Sequence, residues 1–280
     1  MTNAIDVPTK HVAVGDVSYA YRELRPAHLA DPTPIIFLHR FRGTLDDWDP
    51  AFVDELARTR HVILFSDAAV GSSTGTAAKN FDEKGRNAAA FARKLGYEQI
   101  DVLGFSMGGF VCQTIALQEP KLVRKVIGIG TGPAGNAETA PPTDIVFGIA
   151  LQETYTFEDV RYLFFAEGRE KETQAFIDRW AVRKDREPVV EPEIIAKMVE
   201  AVSGFMGGQT DHYERLKQLK QPFLVISGDR DPFFPLKNTW LLYRELPNAE
   251  VAVYPLAGHG PHQQHPVEVA AEIERFLSAK

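Results

Sequence analysis

The stretch that decides the fold reads Ile100-Asp101-Val102-Leu103-Gly104-Phe105-Ser106-Met107-Gly108. An apolar run typical of a buried strand leads directly into the pattern Gly-x-Ser-x-Gly, and helical periodicity begins at Met107. A serine at such a sharp strand-to-helix turn is held in a strained backbone conformation, and the flanking glycines leave room for close packing. We therefore predict that Ser106 projects its hydroxyl from the end of a sheet, beside a helix N-terminus that favours a developing anion.

The same alternation of strand and helix continues on both sides of this stretch. His11–Val14 and Val17–Arg22 flank Gly15-Asp16 and predict a β-hairpin. The predicted strands of the core are Ile35–Leu38, Val62–Phe65, Ile100–Gly104, Val126–Ile129, Phe223–Ser227 and Val251–Tyr254. The predicted helices are Pro50–Arg58, Asp82–Leu95, Met107–Gln118, Leu236–Leu246 and Val267–Ala279. This order predicts an α/β fold with a mostly parallel central sheet flanked by helices.

The alternation is interrupted between Thr131 and Gln221, where the chain becomes helical and rich in aromatic residues. We predict a core of residues 1–130 and 222–280, with residues 131–221 inserted as a helical lid above the strand ends, where open α/β sheets bind ligands. The alternative is an ordinary helical layer that only covers the core. Phe164 and Trp180 are the candidates in this segment for contact with a substrate.

Composition limits the classes of partner. The chain has 280 residues, a formal net charge of −7 and a single cysteine. The negative charge argues against nucleic-acid binding and against binding to an anionic membrane surface. With neither a signal peptide nor an apolar run long enough to span a bilayer, the sequence predicts a soluble cytoplasmic protein, and Cys112 is expected to be a small buried residue. The oligomeric state stays open, since lids and edge strands both can form dimers.

From Ile35 to Lys280 the sequence resembles the α/β-hydrolase fold superfamily, whose nucleophile, acid and histidine follow in that order along the chain. A serine hydroxyl needs a histidine to take its proton and a carboxylate to orient that histidine. The resemblance places the acid in Gly228-Asp229-Arg230-Asp231-Pro232, at Asp231, and Asp229 is then expected to cap the turn.

The resemblance also assigns the histidine to Ala257-Gly258-His259-Gly260, with His259 as the base. His262 and His265 compete for that role. We expect His265 at the start of the last helix and His262 at the solvent or at the rim of the pocket. Neither an organic cofactor nor a metal site is implied, because no His, Asp and Glu cluster has the spacing of metal ligands.

Two backbone N–H groups are expected to hold the oxyanion that acyl transfer creates. Met107, the residue after the nucleophile, supplies the first, and the resemblance assigns the second to Phe41, in the loop after the strand Ile35–Leu38. Arg40 stands where the family usually has glycine, so this position is expected to avoid positive φ. Its guanidinium either points to solvent or places a cation at the pocket mouth that favours acidic substrates. Trp48 is expected to pack rather than to contact a substrate.

The resulting hypothesis is a serine esterase, an α/β-hydrolase that acts on a small or medium carboxylic ester or related acyl bond through an acyl-enzyme. Three alternatives remain. A cofactor-free perhydrolase or haloperoxidase would use peroxide in place of water, a lyase would break a carbon–carbon bond with the same residues, and a ligand receptor would use the fold without catalysis.

Overall fold

The computed structural model describes residues 3–279, and its centre is a mixed, mostly parallel sheet. The strands are β1 (Lys10–Val14), β2 (Val17–Leu24), β3 (Ile35–Leu38), β4 (Val62–Phe65), β5 (Ile100–Phe105), β6 (Val123–Ile129), β7 (Phe223–Gly228) and β8 (Ala249–Tyr254). They lie side by side in the order β1-β2-β4-β3-β5-β6-β7-β8. Only the N-terminal hairpin β1–β2 runs antiparallel, both within itself and where β2 joins β4. The predicted fold class is confirmed.

Helices cover both faces of the sheet. Those of the core are α1 (Pro50–Ala57), α2 (Phe81–Lys94), α3 (Met107–Gln118), α9 (Leu236–Glu245), α10 (Pro261–Gln264) and α11 (Pro266–Ser278). The helices α2, α3 and α9 bury one face, while α1 and α11 bury the other. Because β3, β4, β5 and β6 are covered on both sides, their residues are almost all buried, which is why they read as unbroken apolar runs.

The segment between β6 and β7 is helical throughout its regular structure. Its helices are α4 (Asp144–Ala150), α5 (Phe157–Phe164), α6 (Glu170–Trp180), α7 (Pro192–Met206) and α8 (His212–Arg215). Several aromatic side chains pack into the two cores, Phe205 against Phe110 and Phe164 against Phe105. We call residues 131–221 the inserted segment. Its role as a separate lid stays a prediction.

A buried ionic network fastens the inserted segment to the core. Asp46 accepts a hydrogen bond from Arg22 at 2.6 Å and lies 3.5 Å from the Nε of Arg183. The other oxygen of Asp46 accepts the backbone N–H of Glu187 at 2.6 Å. The side chains of Arg22 and Asp46 are each only 1% exposed. A charge at this depth must be paired, so the network fixes residues 183–187 against the core.

Candidate active site

Ser106 occupies the turn between β5 and α3 in a conformation that L-residues rarely adopt, with φ 56° and ψ −118°. The backbone is so closely packed there that residues 104 and 108, two positions before and after Ser106, must both be glycine. A Cβ on Gly108 would lie 1.9 Å from the carbonyl oxygen of Leu38, and one on Gly104 would lie 2.2 Å from backbone atoms of Gly108. The strain and the close approach expected from Gly-x-Ser-x-Gly are both present.

Two backbone N–H groups, those of Met107 and Phe41, are without a hydrogen-bond partner in the described part of the chain. Met107 is the first residue of α3, so its N–H has no partner within the helix. Phe41 lies in the loop that follows β3, the strand beside β5. Within residues 3–279, neither N–H donates a hydrogen bond to another protein group. Both residues that were predicted to form an oxyanion hole therefore retain a donor for it.

His259 and Asp231 form a buried hydrogen-bonded pair. The Nδ1 of His259 lies 2.9 Å from Oδ2 of Asp231, and the two residues are 2% and 5% exposed. The other carboxylate oxygen accepts the backbone N–H groups of Phe233 and Phe234 at 2.8 and 3.0 Å. These bonds fix the carboxylate, which in turn orients the imidazole so that Nε2 is left to face other groups.

The expectation that Asp229 caps this turn is wrong. Asp231 itself accepts the N–H groups of the turn, whereas Oδ1 of Asp229 is buried without a hydrogen-bond partner in the described part of the chain. A single carboxylate can serve both the turn and the imidazole because its two oxygens point in different directions.

The packing around Gly130 brings His259 beside Ser106. Ser106 donates its N–H to the carbonyl of Ile129 at 2.9 Å, and the next residue, Gly130, has φ 51°. A Cβ on Gly130 would lie 2.5 Å from the carbonyl oxygen and 3.0 Å from Nδ1 of His259. The sequence analysis did not single out Gly130, because nothing in a lone glycine shows what will pack against it.

Ser106 Oγ and His259 make no hydrogen bond with each other among the contacts of residues 3–279. The aromatic rings of Phe105 and Phe233 hold the imidazole from two sides, with centroids at 4.9 and 4.4 Å. Hydrogen bonds between catalytic groups are often long before a substrate binds and tighten in the complex. The structure thus brings together Ser106, His259 and Asp231, and their catalytic roles remain predictions.

Arg40 does not point to solvent, which corrects one of the two interpretations of this residue. Its guanidinium donates to the carboxylate of Asp47 at 2.6 Å and to the carbonyl of Phe41 at 2.8 Å. It also lies over the ring of Phe164, 5.2 Å from the centroid. Asp47 balances the charge of Arg40, and the hydrogen bond to Phe41 holds the loop in its conformation. The predicted contact of Arg40 with an acidic substrate is therefore less favoured. Arg40 has no positive φ, as predicted, whereas Arg42 adopts φ 58°.

His262 is fully buried, so the expectation that it faces solvent or rims the pocket is wrong. It lies within an aromatic cluster, with ring centroids 4.5 Å from Phe105, 5.2 Å from Phe52 and 5.9 Å from Trp48. Burial, with a smaller contribution from neighbouring His259, lowers the pKa of His262 to about 3. The short helix α10 turns the side chain of His262 inward, and the local sequence gives no indication of this orientation.

Other residues are close to expectation. Trp48 packs against Phe37 in the core, and His265 lies at the start of α11. Cys112 is buried, and burial raises the pKa of its thiol, which keeps it protonated. Asp67, which the sequence analysis did not single out, accepts the N–H of Ala68 in the loop after β4.

A pocket borders the loop after β3 and the first turn of α3. Its lining includes Leu38, Met107 and Val111 from the core and Met198 from α7. The buried ion pair of Lys84 with Asp67, at 2.8 Å, lies on one side. The lining is mostly apolar, as in sites that bind small organic molecules.

The two aromatic residues predicted to contact a substrate lie in different places. Phe164 is near the site, stacked 6.1 Å from the ring of His259, and its carbonyl accepts the N–H of Gly260 at 2.9 Å. Trp180 instead lies under the guanidinium of Arg186, 3.9 Å from it, and no described contact joins it to Ser106, Asp231 or His259. The structure gives no support to Trp180 as a substrate contact.

Over residues 3–279, no group of three or more His, Cys, Asp or Glu side chains is arranged to hold a metal ion. In the same part of the chain, no helix combines the length and the apolar character that crossing a bilayer requires.

A family model described as the alpha/beta hydrolase fold matches residues 33–266. The chain belongs to the α/β-hydrolase fold family. The match includes the strand-to-helix turn with Ser106 and the segments that carry Asp231 and His259, and the predicted resemblance is confirmed.

Curated relatives of this chain carry names that describe different activities. A 2-hydroxy-6-oxononadienedioate/2-hydroxy-6-oxononatrienedioate hydrolase of Pseudomonas sp is 26% identical over 66% of this chain and 65% of its own length. The chain thus aligns with just under two thirds of that relative. A pimeloyl-[acyl-carrier protein] methyl ester esterase of Pectobacterium carotovorum is 24% identical over 89% of this chain and 96% of its own length.

Among solved structures, an α/β hydrolase fold protein from Chitinophaga pinensis is similar over the whole of both chains. Its TM-score is 0.89 and its sequence is 28% identical. The alignment therefore includes residues 131–221, the inserted segment.

Proposed function

We propose that this α/β hydrolase is a serine hydrolase that cleaves a small or medium carboxylic ester through an acyl-enzyme intermediate. One observation carries the proposal: a serine with φ 56° at the N-terminus of α3 stands beside a buried histidine whose Nδ1 is held by a carboxylate at 2.9 Å. That combination is what a weak hydroxyl nucleophile requires: a hydroxyl on a strained turn, a base and an orienting anion.

In the proposed reaction, Ser106 Oγ attacks the ester carbonyl while Nε2 of His259 takes its proton. Asp231 stabilises the imidazolium, and the N–H groups of Phe41 and Met107 bind the oxyanion. His259 then gives the proton to the departing alcohol as the carbon–oxygen bond breaks. Water, deprotonated by His259, attacks the acyl-enzyme, and the carboxylic acid leaves as Ser106 recovers its proton.

The inserted segment shields this chemistry from water on one side. Phe164 stacks over the imidazole, and Gly258 packs so closely on the backbone of Phe165 that a Cβ there would lie 2.6 Å from it. A low-dielectric surrounding strengthens the hydrogen bonds that stabilise the oxyanion. An apolar ester fits this surrounding better than a charged substrate does.

Hydrolysis of a carbon–carbon bond is the second candidate. The Pseudomonas relative is named for a substrate with oxo and carboxylate groups but no ester, so its hydrolysis has to break a bond between carbons. The ester is preferred because the similarity to the methyl ester esterase spans 96% of that relative and includes most of the inserted segment of this chain.

The test combines active-site labelling with a substrate panel. A fluorophosphonate should label Ser106, and nitrophenyl esters of rising acyl length should be hydrolysed at different rates that report the size of the pocket. Ser106→Ala should lose about 10⁶-fold in kcat while its far-UV spectrum and melting transition stay those of the parent. Turnover that survives this substitution would contradict the serine mechanism. Assay of a vinylogous diketone tests for hydrolysis of a carbon–carbon bond. Comparison of peroxide with water as acyl acceptor tests for perhydrolase activity.

A further inference from the structure

The loop that carries Phe41 is held by an arginine on each side, and the two arginines have different anchors. Arg40 folds back on the loop itself, where its guanidinium binds the carbonyl of Phe41 and the carboxylate of Asp47. Arg42 instead reaches away from the loop into the inserted segment. Arg42 therefore joins the residue directly after Phe41 to the inserted segment by hydrogen bonds.

The anchor of Arg42 is the end of α4. Its guanidinium donates to three backbone carbonyls, those of Ala150 at 3.0 Å, Gln152 at 2.5 Å and Glu153 at 3.2 Å. Carbonyls at a helix C-terminus lack partners within the helix, and the same end carries the negative pole of the helix dipole. A fixed planar cation with several donors matches this set of acceptors.

An aromatic contact completes the anchor. The guanidinium of Arg42 lies 5.6 Å from the ring centroid of Tyr155, and the hydroxyl of Tyr155 donates to the carbonyl of Ala150 at 2.8 Å. The segment 150–155 thus closes around the arginine head group. Sequence reasoning did not single out Arg42, because its acceptors are backbone carbonyls more than a hundred positions away.

The backbone of Arg42 gives an independent indication. Its φ of 58° is unusual for a residue other than glycine, and such conformations persist only where surrounding contacts enforce them. The preceding residue is Phe41, whose N–H is uncommitted within residues 3–279. The strained residue thus lies directly after the donor on which the proposed oxyanion hole depends.

We propose that Arg42 is a positioning residue that holds the Phe41 N–H in place for the oxyanion by fastening its loop to residues 150–155. The proposal rests on the proposed function. When Arg42 is bound to the carbonyls, the strained backbone is maintained and the two donors, Phe41 and Met107, stay fixed relative to each other. When these contacts are lost, the loop relaxes and one donor leaves the oxyanion.

The expected effect follows from the loss of one donor. Removing a single oxyanion donor reduces kcat by about 10²- to 10³-fold in enzymes of this kind. We expect Arg42→Ala to reduce kcat for a nitrophenyl ester by about 10²-fold and to change KM less than about threefold, because the donor acts mainly in the transition state. Arg42→Lys, which can reach fewer carbonyls, should fall between the parent and Arg42→Ala.

A matched control is Arg179→Ala. Arg179 also joins the inserted segment to the core, through bonds of 3.0 and 2.6 Å to Asp49, which lies outside the loop of Phe41. This variant should lower the melting temperature and leave kcat within about threefold of the parent. The pH profile of kcat/KM should be unchanged in Arg42→Ala, since the His259–Asp231 pair does not touch Arg42.

The outcomes separate the two proposals. If Ser106→Ala abolishes turnover but Arg42→Ala keeps the kcat of the parent, the serine mechanism stands and the role of Arg42 is wrong. Equal losses of kcat in Arg42→Ala and Arg179→Ala would also overturn it, because both would then report a general loosening of the inserted segment. A shifted pH profile in Arg42→Ala would do the same. If Ser106→Ala retains turnover, both proposals fail.

Discussion

Replacing His262 with phenylalanine should make the protein less sensitive to acid. The imidazole is 0% exposed, and neither ring nitrogen has a hydrogen-bond partner among the described residues. Burial first, and then the charges of His259 and Arg40, lower its pKa from 6.5 to about 3. The ring is therefore neutral in the folded chain at every pH at which the protein would be assayed.

The sign of the effect follows from proton binding. Between pH 6.5 and pH 3, unfolded His262 carries a proton that the folded chain does not accept, so the unfolded state binds more protons and lower pH favours unfolding. Below pH 6.5 the free energy of unfolding falls by about 1.36 kcal/mol for each pH unit. At about pH 4.5, two units lower, the loss in the free energy of unfolding is about 2.7 kcal/mol. Above about pH 7.5 this loss is negligible.

Urea denaturation of the parent and of His262→Phe at a series of pH values measures this effect. Any cost of fitting the phenylalanine ring is independent of pH. The informative quantity is therefore how the difference in unfolding free energy between the two proteins changes with pH. The difference should move in favour of His262→Phe by about 2.7 kcal/mol between about pH 7.5 and 4.5. The same substitution at exposed His28 is the control for introducing a phenylalanine ring, and it is measured at the same pH values. A flat difference for His262→Phe would refute the assignment of a buried neutral imidazole.

Two further predictions concern strain and buried charge. Ser106→Gly should be about 1 kcal/mol more stable to urea than Ser106→Ala, because relief of φ 56° outweighs the flexibility that glycine adds to the unfolded chain, and equal stability would contradict the strain. Asp46→Ala should lose about 3–5 kcal/mol of unfolding free energy, since it leaves the buried Arg22 and Arg183 without their shared carboxylate. A loss below about 1 kcal/mol would mean that water or another group replaces the carboxylate.

Most of the fold could be predicted because its signals are local. The strands β3 and β4 and the helix α3 begin and end where the apolar runs and periodicity predict, and the other predicted elements differ by a few residues at their ends. Buried parallel strands read as short apolar runs, and the alternation with helices constrains how they connect. The serine turn could be predicted because strain and close packing demand glycine at fixed positions.

The errors concern side chains whose surroundings come from distant parts of the chain. His262 and His265 are equally plausible as surface residues by sequence, yet the inward turn of α10 buries His262 against Trp48 and Phe52. Asp229 was expected to cap the turn after β7, yet Asp231 accepts the N–H groups of that turn with one oxygen and meets His259 with the other. Neither question has a local answer.

The amino-acid sequence by itself determined the order of strands and helices and the strained serine between them, because backbone preference, apolar periodicity and the need for glycine act over a few neighbouring residues. Tertiary structure alone decided that Arg42 binds the end of α4, that Gly130 makes room for His259, and that His262 loses its contact with water. These depend on which surfaces meet when the sheet closes against its helices, and free energies of burial and hydrogen bonding between distant residues leave no mark on the sequence around each of them.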